Sequence, residues 1–317
     1  MISIVTPAFN EAGNLQRLHT RIVDTMGKLA VDWEWIVVDD HSRDDTFAVI
    51  QRLSISDPRV RGVRLARNSG SHVAIACGLR LTSGDAVVMM ASDLQDPPET
   101  IGTMIERWRR GAQIVWAVRR SRPGDRSHAS FAAVYYWIVR KIVGLRDMPA
   151  KGTDFFLADR RVVEAFRAFP ERTTSLFNHL TWMGFKQEYV EYEKQPRTVG
   201  ASGWTLSRKV RLVIDSVTAF SNAPLRWCAY LGAAMLIVAL VLIVAGVRLL
   251  PELGGGLLLV LAVLFGLSGV QMLALAIVGE YVWSALAEAR RRPQYVIEAA
   301  TSDDLAIMLP DGYRRNG

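Results

Sequence analysis

Residues 2–11 read ISIVTPAFNE, an apolar and β-rich run that passes directly into a polar loop. The same unit recurs along the first 120 residues, where such runs alternate with segments whose apolar residues are spaced for a helix. Five runs are predicted to form strands: Ile2 to Thr6, Glu34 to Val38, Val60 to Leu65, Ala86 to Met90 and Ile114 to Val118. This alternation predicts an α/β fold built on a parallel sheet.

Polar residues follow three of the predicted strands. Asn10 and Glu11 follow the first strand, Asp39 and Asp40 the second, and Asp93 lies just beyond the fourth. Because ligands of such sheets bind at the carboxyl ends of the strands, these loops are expected to converge on one edge. The sequence contains no G-x-G-x-x-G or P-loop pattern, which argues against a dinucleotide enzyme and against an NTPase.

Residues 93–99, DLQDPPE, carry the strongest chemical signal. A carboxylate at Asp93 suits Mg2+ or Mn2+, which would grip a donor diphosphate and neutralise charge on the departing nucleotide. Taken alone, an Asp before two prolines also fits a turn or a helix N-cap, and the neighbouring acidic loops favour the metal. Asp39 can accept hydrogen bonds from a nucleobase or ribose, whereas Asp44 and Asp45 are expected to cap the next helix.

Two long apolar runs near the carboxyl end predict membrane helices. Residues 227–247 and 253–279 contain no charged side chain, and each exceeds the roughly 20 residues needed to cross a bilayer. One such run could be a buried helix of a soluble protein, but two in succession favour the membrane. Basic residues flank the pair, whereas the only charged residues between the runs are Arg248, expected to anchor the outer end of the first span, and Glu252, so both ends of the pair are expected in the cytoplasm. The apolar face of residues 206–220 predicts a helix in the membrane interface, with a surface helix packed on the domain as the alternative.

Composition narrows the class of partner. The 317 residues carry a net charge of +7, but the basic residues gather near the apolar runs and in one loop without a nucleic-acid-binding motif. Anionic lipid and phosphate are therefore the expected partners, and nucleic acid is not. Cys77 and Cys228 lack metal-ligand spacing, so we expect no disulfide and a reducing compartment. No signal peptide is expected before the strand at Ile2.

The chain resembles family 2 glycosyltransferases of the polyprenyl-phosphate glycosyltransferase branch, the group containing dolichol-phosphate mannose synthases and bactoprenol glucosyltransferases. The resemblance runs from Ile2 to at least Leu225. It is carried by six segments in order: VTPAFNE at 5–11, VVDDHS at 37–42, RNSG at 67–70, DLQDPPE at 93–99, DFFL at 154–157 and RTVGAS at 197–202.

The resemblance implies a GT-A fold and assigns roles to individual residues. Those implied for nucleotide-sugar binding are Pro7, Phe9, Asn10, Glu11, Asp39, Asp40, Ser92, Asp93, Gln95 and Arg197. Asp93 with Gln95 would hold the metal, and the acceptor phosphate would meet Arg119, Arg122, Arg197 and Ser202. Asp93, Arg119 and Asp154 form the expected catalytic set, with Asp154 near the acceptor. For either Arg119 or Arg197 the alternative is a surface ion pair, and for Asp154 it is a capping or core-bridging carboxylate.

Two positions depart from the pattern of this branch. Its members commonly carry two aspartates separated by one residue in the metal loop, and here the first is Ala91. Because Mg2+ often takes only one or two protein carboxylates, we expect weaker metal binding rather than none. Gly203 stands where the branch often has a lysine, and Arg208 or Lys209 could replace that charge.

The sequence thus predicts four parts: a cytoplasmic GT-A domain at 1–204, a juxtamembrane helix at 205–225, two transmembrane helices at 226–283 and a cytoplasmic tail at 284–317. The predicted reaction is inverting transfer of one sugar, with UDP as the favoured nucleotide, to polyprenyl phosphate at the inner membrane. A lipid phosphate is ionised and can attack directly, so Asp154 would position groups rather than remove a proton. The alternatives are a polysaccharide-extending membrane transferase and a non-catalytic nucleotide-sugar-binding scaffold. A homo-oligomer is left open.

Overall fold

The computed structural model describes residues 1–120, 155–169, 176–193, 195, 256–289 and 293–302, together with the single positions 217, 227, 230 and 234. Within these residues one sheet of eight strands carries helices on both faces. The strands are β1 Ile2–Ala8, β2 Trp33–Asp39, β3 Val60–Leu65, β4 Ala86–Met89, β5 Ile114–Arg119, β6 Phe155–Asp159, β7 Gln187–Tyr192 and β8 Ile297–Ala300. All five strands predicted in the first 120 residues are confirmed, with bounds that differ by up to two residues.

The sheet has the order β7-β5-β6-β4-β1-β2-β3-β8. Strands β1 to β4 pair in parallel, as does β7 with β5, but β6 runs antiparallel between β4 and β5 and β8 runs antiparallel to β3. The five strands predicted in the first 120 residues therefore run in one direction, as expected, and the antiparallel β6 and β8 make the sheet as a whole mixed. The βα alternation predicts strand direction only within the segment that shows it, and β6 and β8 both lie beyond the first 120 residues.

Seven helices lie in the described residues. They are α1 Ala12–Leu29, α2 Thr46–Ser56, α3 Ser71–Leu81, α4 Thr100–Arg109, α5 Arg160–Ala168, α6 Leu176–Trp182 and α7 Gly256–Ala289. Helix α1 shows how the sequence directs packing, since Leu15, Leu18, Ile22 and Met26 recur at helical spacing and are all buried. The sequence also predicts helices at 135–143 and 174–183: the second corresponds to α6, and the first lies outside the described residues.

The core lies on both faces of the sheet. One apolar cluster joins β1, β2 and β4 to helices α1, α2 and α4, and two others join the opposite face to α3, α5 and α6. Every residue of β2 is buried, as expected for a central strand covered on both faces. The strand ends are thereby held rigidly, and the loops that follow them are the parts open to a ligand.

Helix α7 is the one helix of the described residues that is long and apolar enough to cross a membrane, judged by length and composition alone. Its most apolar window, residues 266–283, is not buried against the rest of the fold. It coincides with the second predicted span and continues past it to Ala289. The interfacial helix at 205–225 and the first span lie outside the described residues, apart from single positions.

Strand β8 follows α7 and returns to the sheet. Thr301 N donates to Gly62 O at 2.9 Å, and Ala66 N donates to Val296 O at 2.8 Å. Tyr295, Ile297 and Ala300 pack on the apolar cluster between β3 and α3. The sequence predicts no function for the tail, yet residues 293–302 complete the edge of the sheet.

Candidate active site at the sheet edge

Three polar loops meet at the carboxyl edge of the sheet, as the sequence predicts. Strands β4, β1 and β2 are neighbours, and Ala8 at the end of β1 lies opposite Asp39 at the end of β2. Met89 at the end of β4 is paired with Val5 of β1. The loops that follow these ends therefore form one surface.

Hydrogen bonds join the first two loops directly. Asp40 N donates to Ala8 O at 2.8 Å, and Asn10 N donates to the Ser42 hydroxyl at 2.9 Å. In return, Arg43 N donates to Asn10 Oδ1 at 2.8 Å. Asn10 is thus fixed by the neighbouring loop through both its backbone and its side chain.

Asp39 is fully buried at the end of β2. Its Oδ1 accepts hydrogen bonds from Ser42 N, at 2.9 Å, and from the Ser42 hydroxyl. Within the described residues Oδ2 is a buried oxygen with no hydrogen-bond donor, and the Arg64 Nε lies 3.8 Å away. One oxygen is therefore committed to the loop while the other keeps its capacity to accept.

Asp40 serves the loop before α3. Its two carboxylate oxygens accept from Ser69 N at 2.7 Å and from Gly70 N at 2.8 Å. Burial raises the pKa of Asp40, and these two amide donors oppose that effect. Gly70 has φ 92°, a left-handed conformation that glycine adopts without strain. Since both oxygens are occupied, the geometry favours Asp40 as a support of this loop over a direct nucleotide contact.

Each of the three loops contains one non-glycine residue with positive φ. The angles are 58° at Asn10, 60° at His41 and 62° at Leu94. Such residues are costly, most of all for leucine, and they cluster at ligand sites where surrounding contacts hold them. Together with the polar side chains, the coincidence of all three with the strand ends supports this edge as the candidate site.

The remaining residues of the first loop are partly open. The Phe9 ring is exposed and Pro7 and Glu11 are half-buried. Glu11 Oε2 accepts from the Asn14 amide at 2.6 Å, and Glu11 N donates to the Thr46 hydroxyl at 2.8 Å. The exposed ring and the held carboxylate can both reach a ligand at the edge.

Asp44 and Asp45, both expected to cap α2, have different roles at its start. Asp44 Oδ1 accepts from Thr46 N at 3.1 Å, and Asp44 Oδ2 accepts from Ala12 N at 3.3 Å. Asp45 occupies the N-cap position, but its side chain makes no capping hydrogen bond. Asp44 therefore connects the starts of α1 and α2 and is not available as a donor-binding carboxylate.

The loop after β4 is held against the first loop. The Ser92 hydroxyl donates to Pro7 O at 3.0 Å, and Asp93 Oδ1 accepts from Gln95 N at 3.2 Å. Asp93 is 8 % exposed, so its carboxylate lies at the wall of the site. The described residues contain no cluster of three or more His, Cys, Asp or Glu side chains. One wall carboxylate fits a divalent cation that takes its other ligands from diphosphate oxygens and water.

Strand β7 reinforces this loop through contacts that the sequence analysis missed. The Tyr192 hydroxyl donates to the buried Asp96 Oδ1 at 2.6 Å, and Gln195 N donates to Gln95 O at 2.9 Å. Tyr192 lies in register with Arg119 at the end of β5, which brings that half-buried arginine to the same edge. Nothing in the sequence around Tyr192 indicates that its hydroxyl binds Asp96.

Four predicted residues cannot be placed, because Asp154, Arg122, Arg197 and Ser202 lie outside the described residues. The structure brings together the others, namely Pro7, Phe9, Asn10, Glu11, Asp39, Asp40, Ser92, Asp93, Gln95 and Arg119. They line the carboxyl edge on β1, β2, β4 and β5 and the loops that follow.

Comparison with known proteins gives the family. The sequence model of glycosyl transferase family 2 matches residues 3–167. An uncharacterized glycosyltransferase of Synechocystis sp. is 34 % identical over 301 residues, covering 93 % of this chain and 94 % of that protein. A prophage bactoprenol glucosyl transferase homolog of Escherichia coli is 32 % identical over 307 residues, covering 94 % and 98 %.

A solved structure shares the fold. Glucosyl-3-phosphoglycerate synthase from Mycobacterium tuberculosis, in complex with Mn2+, UDP and phosphoglyceric acid, superposes with a TM-score of 0.50 at 18 % identity. The match covers 71 % of this chain and 79 % of that one. The GT-A, Rossmann-like α/β fold expected from the sequence is confirmed.

Proposed function

We propose that this chain, which belongs to glycosyl transferase family 2, transfers one sugar from a nucleotide diphosphate to a polyprenyl phosphate at the cytoplasmic face of the membrane. The family match and its relatives establish that it is a glycosyltransferase. The observation that carries the finer proposal is the convergence of Asp39 and Asp93 on one edge of the sheet, in adjoining strained loops.

The donor is proposed to lie across the loops after β2, β1 and β4. Asp39 Oδ2 keeps one acceptor position at the end of β2, which suits a nucleobase or ribose donor and a UDP-sugar in particular. Phe9 offers an exposed ring beside it, while Asn10 and Glu11 are held on the same edge. Asp93 and Gln95 would then face the diphosphate.

A divalent cation, Mg2+ or Mn2+, would be held by Asp93 with Gln95 beside it. When bound, it supplies charge neutralisation for the nucleotide diphosphate that leaves. The protein contributes the fixed position of the loop, which Ser92 ties to Pro7 and Tyr192 ties through Asp96. Ala91 removes a second carboxylate from this wall, so the cation is proposed to be weakly held and dependent on the donor diphosphate.

The acceptor phosphate requires no general base. A phosphate oxygen attacks the anomeric carbon, the bond from that carbon to the diphosphate oxygen breaks, and the nucleoside diphosphate departs with its electron pair. Attack opposite the leaving group inverts the anomeric configuration. Arg119, at the end of β5, is proposed to orient this phosphate, together with Arg122, Arg197 and Ser202, while Asp154 positions the acceptor.

An unburied apolar helix and the names of several relatives both support a lipid as the acceptor. The apolar surface of α7 is unburied in the described structure, and several relatives are named bactoprenol glucosyl transferases. We propose two spans, α7 and the run at 227–247, with both ends of the pair in the cytoplasm and an interfacial helix at 205–225. The proposed domain boundaries are those predicted from the sequence, with one change: residues 293–302 of the predicted tail are assigned to the catalytic domain.

The experiment uses the full chain in detergent with short-chain polyprenyl phosphate, a panel of UDP- and GDP-sugars, and Mg2+ or Mn2+. Glycolipid is scored by mass spectrometry, and the matching polyprenol without phosphate tests the need for the phosphate. Asp93→Asn should abolish product, while Asp24→Asn, an exposed carboxylate on α1, should leave it unchanged. Equal product from the polyprenol, or full activity of Asp93→Asn, would contradict the proposal.

A further inference from the structure

Strand β8 places one acidic side chain beside the loop that holds Asp39. Glu298 Oε2 lies 3.2 Å from Arg64 Nε and 3.4 Å from His41 Nδ1. His41 Nδ1 also lies 3.0 Å from Leu65 O, and since a carbonyl only accepts, this nitrogen carries the proton. Glu298 therefore contacts Arg64 of β3 and His41, two residues after Asp39, at the same time.

Arg64 lies between Glu298 and Asp39. It is paired in register with Asp39 of β2 on one side and with Ala299 of β8 on the other. Its Nε is 3.2 Å from Glu298 and 3.8 Å from Asp39 Oδ2, and its terminal nitrogen donates to Ser42 O at 3.1 Å. The guanidinium is thus shared by two carboxylates, and it is closer to the one supplied by β8.

This sharing matters because Asp39 is fully buried with one oxygen that receives no hydrogen bond from the described residues. A guanidinium is well suited to a bidentate pair with such a carboxylate. If Arg64 closed on Asp39, it would occupy the acceptor position that a ligand needs. The Glu298 carboxylate, at hydrogen-bonding distance, gives Arg64 another partner when Asp39 binds a ligand.

We propose that Glu298 is a positioning residue of the donor site, which holds Arg64 away from Asp39 and so keeps the Asp39 carboxylate available to the nucleoside. This inference rests on the proposed function, since it takes Asp39 as the group that accepts a hydrogen bond from the nucleoside. It assigns a role in donor binding to the segment that follows the membrane helix α7.

Docking of β8 does not depend on Glu298, which is half exposed. The strand is fixed by backbone hydrogen bonds, by the Thr301 hydroxyl that accepts from Gly62 N at 2.9 Å, and by the packing of the partly buried Ile297 and Ala300. Glu298→Gln keeps the size of the side chain and removes its charge. The substitution therefore separates the charge of Glu298 from the structure of the strand.

The test measures the dissociation constant of UDP by titration calorimetry for the full chain in detergent at low salt. Glu298→Gln should weaken UDP binding by roughly two- to fivefold, the range expected for a partly exposed ion pair, and the loss should shrink at high salt. Adding Arg64→Gln to this variant should return the affinity to that of Arg64→Gln alone, because no guanidinium then competes for Asp39. The matched control is Glu191→Gln on edge strand β7, where Glu191 pairs with Arg120 at 3.4 Å.

Two results would overturn the inference while leaving the proposed function intact. One is UDP affinity of Glu298→Gln equal to that of Glu191→Gln. The other is a loss that persists unchanged in the Arg64→Gln background, since Glu298 would then act other than through Arg64. The donor proposal itself would be overturned if the wild-type chain unfolds cooperatively on heating, and so is folded, but binds neither UDP nor GDP. The present inference would then fail with it.

Discussion

Ser42 is expected to be the most sensitive small residue of the donor site. Its hydroxyl donates to Asp39 and accepts from Asn10 N, so Ser42→Ala removes two hydrogen bonds at once. A hydrogen bond to a charged group contributes about 1.5–3 kcal/mol, whereas Asn10 is exposed and water can replace its lost partner at small cost. Because Ser42 N still donates to Asp39 Oδ1, we expect a loss near the lower bound, about 2 kcal/mol.

For a domain of this size a loss of 2 kcal/mol lowers the melting temperature by about 4–8 °C. The assay is thermal unfolding of the full chain in detergent, followed by tryptophan fluorescence. The control is Ser54→Ala on α2, where the hydroxyl donates only to Gln51 O, at 2.9 Å, and where alanine is the better helix former. Equal melting temperatures for the two variants would refute the reasoning. The UDP affinity of Ser42→Ala should also fall, because Asp39 loses the group that orients it.

Three further predictions follow from other contacts. Hydrogen bonds from Arg59 hold the pKa of Asp57 well below its usual value, so this carboxylate stabilises the fold above the unfolded pKa of about 3.9 and loses that effect as the pH falls. The difference in unfolding free energy between wild type and Asp57→Asn should therefore narrow from pH 7 to pH 3, and a constant difference would contradict this. Tyr192→Phe should cost about 1–3 kcal/mol in the same thermal assay, since Asp96 is fully buried, and an unchanged melting temperature would contradict this. Burial raises the pKa of Cys77 to about 12. In a Cys228→Ala background, a thiol reagent at pH 8 should therefore label the chain only after unfolding. Rapid labelling of the native chain would contradict this, because it would show that the Cys77 thiol is accessible to solvent.

The sequence predicts the parts of the site that depend on local pattern. Each polar loop follows a strand whose apolar run is continuous, and parallel strands carry their ends to one edge whatever the details of packing. Asp39 and Asp93 could therefore be predicted to lie on the same surface, and the structure places them there. The aspartates that cap α2 follow from the same local reasoning, although only Asp44 uses its side chain.

The contacts that tune the site were not predictable, because they join elements far apart in sequence. Arg64 is one of two arginines in the strand VRGVRL, and nothing near it indicates Glu298 as its partner. Residues 297–300, IEAA, lack the β-branched and aromatic run that marks a strand, and they pair because β3 offers an open edge. Leu94 has φ 62°, a conformation that its residue type gives no reason to expect.

Strand β8 also orders events during synthesis. Gly62 and Thr301 are hydrogen-bonded across 239 positions, and the intervening chain includes the whole of α7. At about 5–20 residues per second, the ribosome needs many seconds after β3 emerges to supply its partner strand. Until then β3 presents an unpaired edge, the kind of surface that recruits strands from other chains. The sheet can be completed only after the apolar helix has been made, so a chain whose synthesis halts before the end of α7 would display an incomplete enzyme to the cell's chaperones and proteases.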